Sequence, residues 1–186
     1  MAGPDSKRSH FESSISPHLD AAYNLARWLT RNEHDAEDVV QEAVLRAFTF
    51  FDGFRGGNAR SWLLKIVRNT CFSWLQTNRP NEIAGIEIDE LEDALPLPFC
   101  SASSENPETL ALRRTTTLQL DHALSLLSSR YREVIVLREL EGLSYKEIAA
   151  VIDMPIGTVM SRLARGRTEL RRILAPSQRG GTSHDS

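Results

Sequence analysis

Residues 137–170 read LRELEGLSYKEIAAVIDMPIGTVMSRLARGRTEL and contain the strongest structural motif of the chain. Ser144 and Glu147 have the spacing of a capping box, in which each side chain accepts a hydrogen bond from the backbone N–H of the other residue at the start of a helix. Asp153-Met154-Pro155 predicts a turn, and a longer helix is expected over 156–174. A short helix, a tight turn and a longer helix form the helix-turn-helix unit, whose second helix enters the major groove of DNA.

The predicted final helix has two different faces. The face expected to pack inward carries residues at steps of three or four, namely Val159, Leu163, Gly166, Leu170 and Leu174. The opposite face carries Thr158, Ser161, Arg162, Arg165 and Glu169. Five arginines and one acid give positions 156–174 a net charge of +4, and the guanidinium group matches guanine edges as well as phosphates. A solvated helix of a bundle is the alternative interpretation, but the capping box and the turn favour DNA binding.

The N-terminal half is also predicted to be helical. The first 14 residues lack periodicity and are expected to be frayed, whereas apolar residues from Ile15 to Arg31 follow a helical period. Asp35 is expected to cap a second helix. The apolar stripe of that helix is Ala36, Val40, Ala43, Ala47 and Phe51. Glycines place a loop at 52–58, and a third helix is expected over 59–78. Its inward residues are expected to be Trp62, Leu63, Ile66, Val67, Thr70 and Trp74.

The charge of the chain is divided unevenly along its length. The total net charge is −3, but residues 1–80 carry +1, residues 81–107 carry −7 and residues 108–186 carry +3. The acidic segment contains three prolines and a serine cluster, which is typical of a tether; a short helical turn is expected at 89–95. The sequence therefore predicts an all-α protein with two small helical domains, 15–80 and 108–174, joined by a flexible acidic linker over 81–107.

Several classes of function are disfavoured by the composition. Cys71 and Cys100 belong to no metal-binding pattern and the five histidines are scattered, so no metal or cofactor is expected. No apolar run approaches the roughly 20 residues of a membrane span, and a soluble cytoplasmic protein is expected. No nucleophile, base and orienting residue form a readable set, so an enzyme is not expected.

The helix-turn-helix stretch resembles region 4 of the extracytoplasmic-function group of sigma-70 family factors. That resemblance implies reading of the −35 promoter element. The residues to which it assigns DNA contacts are Gly157, Thr158, Met160, Ser161, Arg162, Ala164, Arg165 and Arg167. Two positions depart from the family pattern: Asp153 stands where the turn often has glycine, and Met160 stands at an often basic position.

Residues 35–48, DAEDVVQEAVLRAF, resemble region 2.2 of the same family. The resemblance implies docking on the clamp helices of the polymerase β′ subunit. The residues assigned to that contact lie opposite the apolar stripe and are Asp35, Asp38, Gln41, Glu42 and Arg46. A merely solvated helix face is the alternative.

Residues 54–70, FRGGNARSWLLKIVRNT, resemble regions 2.3 and 2.4, which bind the non-template strand of the −10 element. The residues so assigned are Phe54, Arg55, Gly57, Asn58, Arg60, Ser61, Trp62, Lys65, Arg68 and Asn69. A glycine-rich loop lets the backbone approach a DNA strand closely. The free-energy cost of extruding a base from the duplex is offset by stacking and by contacts in a pocket. Trp62 is either a core anchor or a stacking platform. Ser73, Trp74 and Gln76 replace several cations of the family pattern, which indicates fewer duplex contacts there.

The resemblance implies an alternative sigma factor that directs promoter-specific initiation, with a role in stress response. Its implied partners are core RNA polymerase, contacted through the β′ clamp helices and the β flap, promoter DNA and an anti-sigma factor. The chain itself is not expected to insert into a membrane, although a membrane-bound anti-sigma factor would hold it at the inner membrane. Two rivals are a helix-turn-helix repressor or activator that acts without polymerase, and a decoy that titrates an anti-sigma factor.

Overall fold

The computed structural model describes residues 4–80 and 120–175. Within these ranges the chain forms the α-helices α1 Pro4–Ile15, α2 Leu19–Thr30, α3 Glu33–Phe50, α4 Ala59–Asn78, α5 Ser129–Ile135, α6 Tyr145–Ile152 and α7 Ile156–Leu174. Residues 120–126 are also helical. Since neither described range contains a strand, the predicted all-α class is confirmed. The predicted linker and its short turn at 89–95 lie outside the described residues.

Helices α2, α3 and α4 pack against one another and form the core of the N-terminal unit, defined here as α1–α4. Leu25 of α2 and Leu63 of α4 are completely buried. The small side chains of Ala36, Ala43 and Ala47 face them from α3, also without exposed surface. Alanines at these positions allow close approach of the helix axes, and burial of each leucine stabilises the unit by about 1.5–3 kcal/mol.

The N-terminal residues form helix α1, so the expectation of a frayed segment is wrong. Phe11 and Ile15 on α1 are 7% and 1% exposed. The Phe11 ring meets those of Phe48 and Phe51 edge-on, with centroids 5.1 Å apart in both pairs. Edge-to-face aromatic pairs of this kind add to the free energy of burial. Helix α1 therefore owes its place to tertiary contacts, which its weakly periodic sequence does not reveal.

The start of α3 is capped by a different residue from the one expected. Asn32, not Asp35, is the N-cap, and its side-chain oxygen accepts a hydrogen bond from the backbone N–H of Asp35 at 3.0 Å. Arg31 ends α2 in the left-handed conformation with φ of 57°, which turns the chain sharply enough for Asn32 to reach the cap position. Within α3, Val39 is buried to 1% exposure, whereas the predicted Val40 is half-buried.

The C-terminal unit, residues 120–126 and α5–α7, contains the predicted helix-turn-helix. A π-helical turn, Val136–Leu140, continues α5, and Gly142 ends it with φ of 66°. The capping box of Ser144 and Glu147 is formed in full at the start of α6. Asp153 ends α6 in the left-handed conformation with φ of 59°, which aspartate tolerates better than most residues.

Helix α7 lies against α5 at its one glycine. A Cβ atom added at Gly166 would stand 3.2 Å from Ile135 Cγ1 and 3.3 Å from Tyr131 Cβ, so a side chain there would force these neighbours to shift by a few tenths of an ångström. Val159 and Leu163 are buried as predicted. Leu174 is 44% exposed, so its expected inward position is wrong; it is the last residue of α7 and lies beyond the contact with α5.

The two units pack against each other through α2 and α4 on one side and α5 and α6 on the other. Arg132 of α5, 2% exposed, joins them: its guanidinium donates to the carbonyl oxygens of Leu124 and Leu127 and, across the boundary, to that of Trp28 at 3.2 Å. A buried guanidinium is tolerated because its donors are satisfied. Among the described residues, no helix has the length and apolar character required to cross a membrane.

Candidate nucleic-acid interface

The loop before α4 is shaped by two glycines and an asparagine cap. Gly56 and Gly57 have φ values of 83° and 105°, a region that side-chain-bearing residues avoid. Asn58 is the N-cap of α4, and its Oδ1 accepts a hydrogen bond from the Ser61 backbone N–H at 3.0 Å. The cap occupies the Asn58 oxygen and leaves its amide N–H groups directed away from α4. Asn58 and Ser61 therefore have a structural role at this turn.

An aromatic cluster lies beside this loop. Trp62 and Phe54 are half-buried, with ring centroids 5.0 Å apart, and Phe51 lies below them at 6.2 Å from Trp62 and 5.8 Å from Phe54. Trp62 thus packs against the core and keeps part of its surface exposed. This packing agrees with the core-anchor interpretation, and stacking of a base on the exposed part of Trp62 stays a prediction.

Cationic side chains of α4 face the C-terminal unit. The Arg60 guanidinium donates to Glu141 at 2.6 Å, and Lys65 Nζ donates to Asp153 at 3.1 Å. One turn further along the helix, Arg68 Nε donates to Glu133 at 2.9 Å. By contrast, Arg55 and Asn69 are exposed, and Asn69 accepts a hydrogen bond from its neighbour Arg68.

Asn58, the N-cap of α4, also contacts the C-terminal unit, from its Nδ2 to Glu147 Oε1 at 2.6 Å. Glu147 is also the capping-box residue of α6, and the hydroxyl and backbone N–H of Ser144 hold its pKa below the ordinary value. It is therefore ionised at neutral pH.

Glu133 is a completely buried carboxylate between two arginines. Its Oε2 accepts from Arg68 at 2.9 Å and its Oε1 from Arg162 at 3.1 Å. Burial raises the pKa of Glu133, while the two guanidinium groups oppose that rise. Two cations around one buried carboxylate satisfy the requirement that a buried charge be paired and hydrogen-bonded.

Arg162 does not lie on the open face of α7, where the sequence analysis placed it. It is 5% exposed and faces Glu133 of α5. The sequence did contain a signal for this: Arg162 is three residues after Val159 and four before Gly166, both buried, so it lies at the edge of the inward face. The charge of the residue obscured that position.

The remaining residues assigned to the −35 contact are accessible to different degrees. Gly157 and Met160 are exposed, and the partly buried members are Thr158, Ser161, Ala164, Arg165 and Arg167. The Ser161 hydroxyl donates to the Thr158 carbonyl at 3.0 Å, and Arg167 Nε donates to Glu139 at 3.0 Å. The N-terminal half of α7 therefore presents small polar side chains and one exposed methionine.

The residues assigned to polymerase lie together on α3. Asp38, Gln41, Glu42 and Arg46 are exposed, and Arg46 forms an ion pair with Glu42 one turn away. Asp35 is half-buried and pairs with Arg79 at 3.4 Å, which ties the end of α4 to the start of α3.

Beside this face is an apolar groove between α1 and α3 that the sequence analysis missed. Leu45 is 63% exposed and Phe48 39% exposed, next to Phe11 and Ile15 of α1. The signal was present in α3, where Leu45 and Phe48 lie outside the predicted apolar stripe.

Two family models match this chain in order along the sequence. Residues 15–80 match Sigma-70 region 2, and residues 117–170 match Sigma-70, region 4. The chain belongs to the extracytoplasmic-function group of the sigma-70 family. This agrees with the expectation that the chain is not an enzyme, since the family name describes a transcription initiation factor.

Curated relatives agree with this membership. The ECF RNA polymerase sigma-E factor of Escherichia coli K12 is 39% identical over 147 residues, covering 76% of this chain and 75% of the relative. The ECF RNA polymerase sigma factor SigE of Mycolicibacterium smegmatis is 34% identical over 173 residues, covering 93% of this chain. This chain spans only 65% of the length of that second relative.

Solved structures of sigma factors are similar to the whole described fold. The sigma factor RpoE of Bartonella quintana, in complex with the anti-sigma factor NepR, has a TM-score of 0.65 and 28% identity, covering 91% of this chain and 99% of that one. CnrH, in complex with the cytosolic domain of CnrY, has a TM-score of 0.59 and 26% identity, covering 90% and 88%.

Proposed function

We propose that this chain is an alternative sigma factor that binds core RNA polymerase and directs promoter-specific initiation of transcription. The observation that carries the proposal is the presence, in one chain and in family order, of a region 2 unit and a region 4 helix-turn-helix. A repressor or activator needs only the second unit. We further propose that residues 15–80 and 108–174 are the functional domains and 81–107 their linker.

The C-terminal unit contacts the −35 element in this proposal. Helix α7 enters the major groove with its N-terminal half, where Thr158 and Ser161 lie closest to the bases and Arg165 reaches a base edge one turn later. Gly157, Met160, Ala164 and Arg167 complete the contact surface. Arg162 contributes only when its pair with Glu133 is broken.

The loop and first turns of α4 bind the non-template strand of the −10 element in this proposal. The exposed edge of Trp62, with Phe54 beside it, supplies a stacking surface for an unpaired base. Phosphate contacts come from the cations of α4 and the adjacent loop, and the residues assigned to them are Arg55, Arg60, Lys65 and Arg68. The backbone at Gly57 allows close approach of the strand.

The exposed face of α3 docks on the β′ clamp helices in this proposal, and the C-terminal unit contacts the β flap. Asp38, Gln41, Glu42 and Arg46 provide the polar contacts. The groove at Leu45 and Phe48 lies next to these residues and contributes apolar contact area to the docking surface.

An anti-sigma factor is the proposed regulator, and the cytoplasm is the proposed location. The similar sigma factor RpoE is in complex with the anti-sigma factor NepR, and CnrH is in complex with the cytosolic domain of CnrY. In this proposal a membrane-bound anti-sigma factor holds the chain at the inner membrane, although the chain does not insert.

Run-off transcription tests the main proposal. Purified core polymerase is combined with this chain on a library of genomic fragments, and new transcripts are mapped. The expected result is initiation at a set of sites that share −10 and −35 sequences and that core polymerase alone does not use. A chain that binds core polymerase without starting any transcript would be a decoy, and specific duplex binding without polymerase would indicate a repressor or activator.

A further inference from the structure

We propose that the acidic side chains of the C-terminal unit act as an internal substitute for the phosphates of the promoter strand. When the two units are packed together, these acidic side chains accept hydrogen bonds from the strand-binding residues of α4 and its N-cap. The free chain is thereby kept from binding single-stranded DNA. The inference rests on the proposed function, because it takes Asn58, Arg60, Lys65 and Arg68 as strand contacts.

The pairing across the boundary is systematic. Four polar groups of the N-terminal unit, each assigned to the strand, contact four acidic side chains of the C-terminal unit. The pairs are Asn58 with Glu147, Arg60 with Glu141, Lys65 with Asp153 and Arg68 with Glu133, at donor–acceptor distances of 2.6, 2.6, 3.1 and 2.9 Å. Carboxylate oxygens at these distances satisfy the same donors that phosphate oxygens would.

The acidic residues come from separate parts of the C-terminal unit. Glu133 lies on α5, Glu141 follows the π-helical turn, Glu147 is on the first turn of α6 and Asp153 ends it. They are spread over 21 positions of sequence, yet all meet the first ten residues of α4 and its N-cap. The fold of the helix-turn-helix is what brings them onto one surface.

Glu133 links the two proposed DNA sites directly. The same carboxylate binds Arg68, assigned to the −10 strand, and Arg162, assigned to the −35 element. When the two units are packed together, Glu133 therefore pairs with one arginine from each of the two proposed DNA sites. Separation of the units would break the Arg68 contact and expose the Glu133 side chain on the surface of the C-terminal unit.

The outer contacts are suited to a reversible closure. The side chain of Lys65 is 39% exposed and that of Asp153 is 80% exposed, so water and salt weaken this ion pair. The Arg60 side chain is 33% exposed, although its partner Glu141 is only 6% exposed. Polymerase or DNA phosphates can therefore displace the contacts stepwise, beginning with that of Lys65. The packed arrangement is thus a competitor of modest strength for the single strand.

The test compares two double variants that lose the same charge. Glu141→Gln with Glu147→Gln removes the charge of two boundary carboxylates: Glu141 accepts from Arg60 and Asn24, and Glu147 accepts from Asn58. Glu12→Gln with Glu33→Gln removes two exposed pairs within the N-terminal unit, those with Arg8 and Arg27, and is the control. Affinity is measured by fluorescence anisotropy with a short fluorescein-labelled single-stranded DNA of randomised sequence, and compactness by small-angle X-ray scattering.

The first variant is expected to bind this DNA with a roughly three- to tenfold lower Kd than the control and to show a larger radius of gyration. Adding Lys65→Ala to it should reverse most of the gain. Equal Kd values for the two double variants would overturn the proposal, as would tighter binding with unchanged scattering or a gain that survives Lys65→Ala. Run-off transcription by the unaltered chain decides the proposed function separately, because that assay does not measure DNA binding by the free chain.

Discussion

Glu133 and Arg68 form an ion pair of 2.9 Å between the two units, and the carboxylate has no exposed surface. Arg162 binds its other oxygen at 3.1 Å. Taking a carboxylate out of water is costly, so such a pair stabilises a structure only when both partners and the surrounding hydrogen bonds are in place. Glu133 is therefore a buried point of the boundary where removal of a partner is costly, whereas loss of the exposed Lys65–Asp153 pair is not.

This difference predicts unequal effects of two glutamate substitutions. Glu133→Gln should lower the free energy of unfolding by about 3–5 kcal/mol, because Arg68 and Arg162 lose their shared partner. Glu139→Gln removes a half-exposed partner of Arg167 and should cost less than about 1 kcal/mol. Urea unfolding followed by circular dichroism measures both. Similarly small losses of unfolding free energy in the two variants would show that water enters the Glu133 site and that its side chains rearrange readily.

The exposed face of α3 predicts loss of polymerase binding without loss of fold. Asp38→Arg and Glu42→Arg should each weaken binding to core polymerase, because opposite charge is placed where the clamp helices dock. Both side chains are exposed, so thermal unfolding should be unchanged within about 0.5 kcal/mol. Asp20→Arg, at an exposed position of α2, is the control. Titration of labelled protein with core polymerase measures affinity, and unchanged values for both variants would contradict the assignment of this face.

The loop before α4 predicts an effect on melting that is separable from recruitment. Asn58→Ala together with Arg60→Ala should impair formation of the open complex more than that of the closed complex, since only the open complex presents an unpaired strand. Permanganate footprinting measures melting, and retarded mobility of the promoter fragment measures recruitment. Because Asn58 also caps α4, Asn58→Asp, which preserves the cap, is combined with Arg60→Ala as a second variant. Equal losses at both steps in this second variant would remove the strand-capture role.

The capping box of α6 predicts a dependence of stability on pH. Glu147 has a pKa below its ordinary value because Ser144 donates to it. Its contribution to stability is therefore present above the ordinary glutamate pKa and is lost as pH falls through the lowered pKa. Ser144→Ala should cost about 1 kcal/mol at neutral pH. The difference in Tm between the wild type and Ser144→Ala should shrink on acidification, and a difference that stays constant into strong acid would contradict this origin.

Local signals in the sequence were enough to predict most of the helices. The bounds of α4 and α7 follow from the Asn58 and Pro155 turns, and the capping box placed α6, because caps depend only on residues within one turn. Helix α1 was missed because its stability comes from Phe11 and Ile15 packing on distant side chains. Its own sequence has little helical periodicity.

The contacts between the units could not be predicted for a related reason. Arg60 and Glu141 are 81 positions apart, and Arg68 and Glu133 are 65 apart. Each of these residues, seen alone, has the character of a solvated charge on a helix. Only the packing of α4 on the C-terminal unit turns them into partners, and nothing local in the sequence encodes that packing.

The helix-turn-helix gives a comparison of three residues on one helix, and it tests the orientation of α7. Arg165→Ala should cost about 1–3 kcal/mol of promoter binding and relax the preference at one −35 position, because the guanidinium reads a base edge. Arg172 is exposed near the end of α7 and pairs with Glu169. Arg172→Ala should weaken all promoters equally and reduce the salt dependence by about one unit of slope, as expected for a phosphate contact.

Leu163 faces the core with 1% exposure, so Leu163→Ala should act on stability and leave specificity unchanged. The expected cost is about 2–5 kcal/mol of unfolding free energy, from lost apolar contact and the cavity left behind. A promoter library transcribed with each of the three variants separates the outcomes. Arg165→Ala should change the preference at one −35 position, and Arg172→Ala should weaken transcription from all promoters equally. Leu163→Ala should keep the full specificity with a smaller fraction of folded protein. An unchanged −35 preference in Arg165→Ala, with uniform weakening instead, would mean that α7 is rotated about its axis relative to the groove and that Arg165 contacts phosphate.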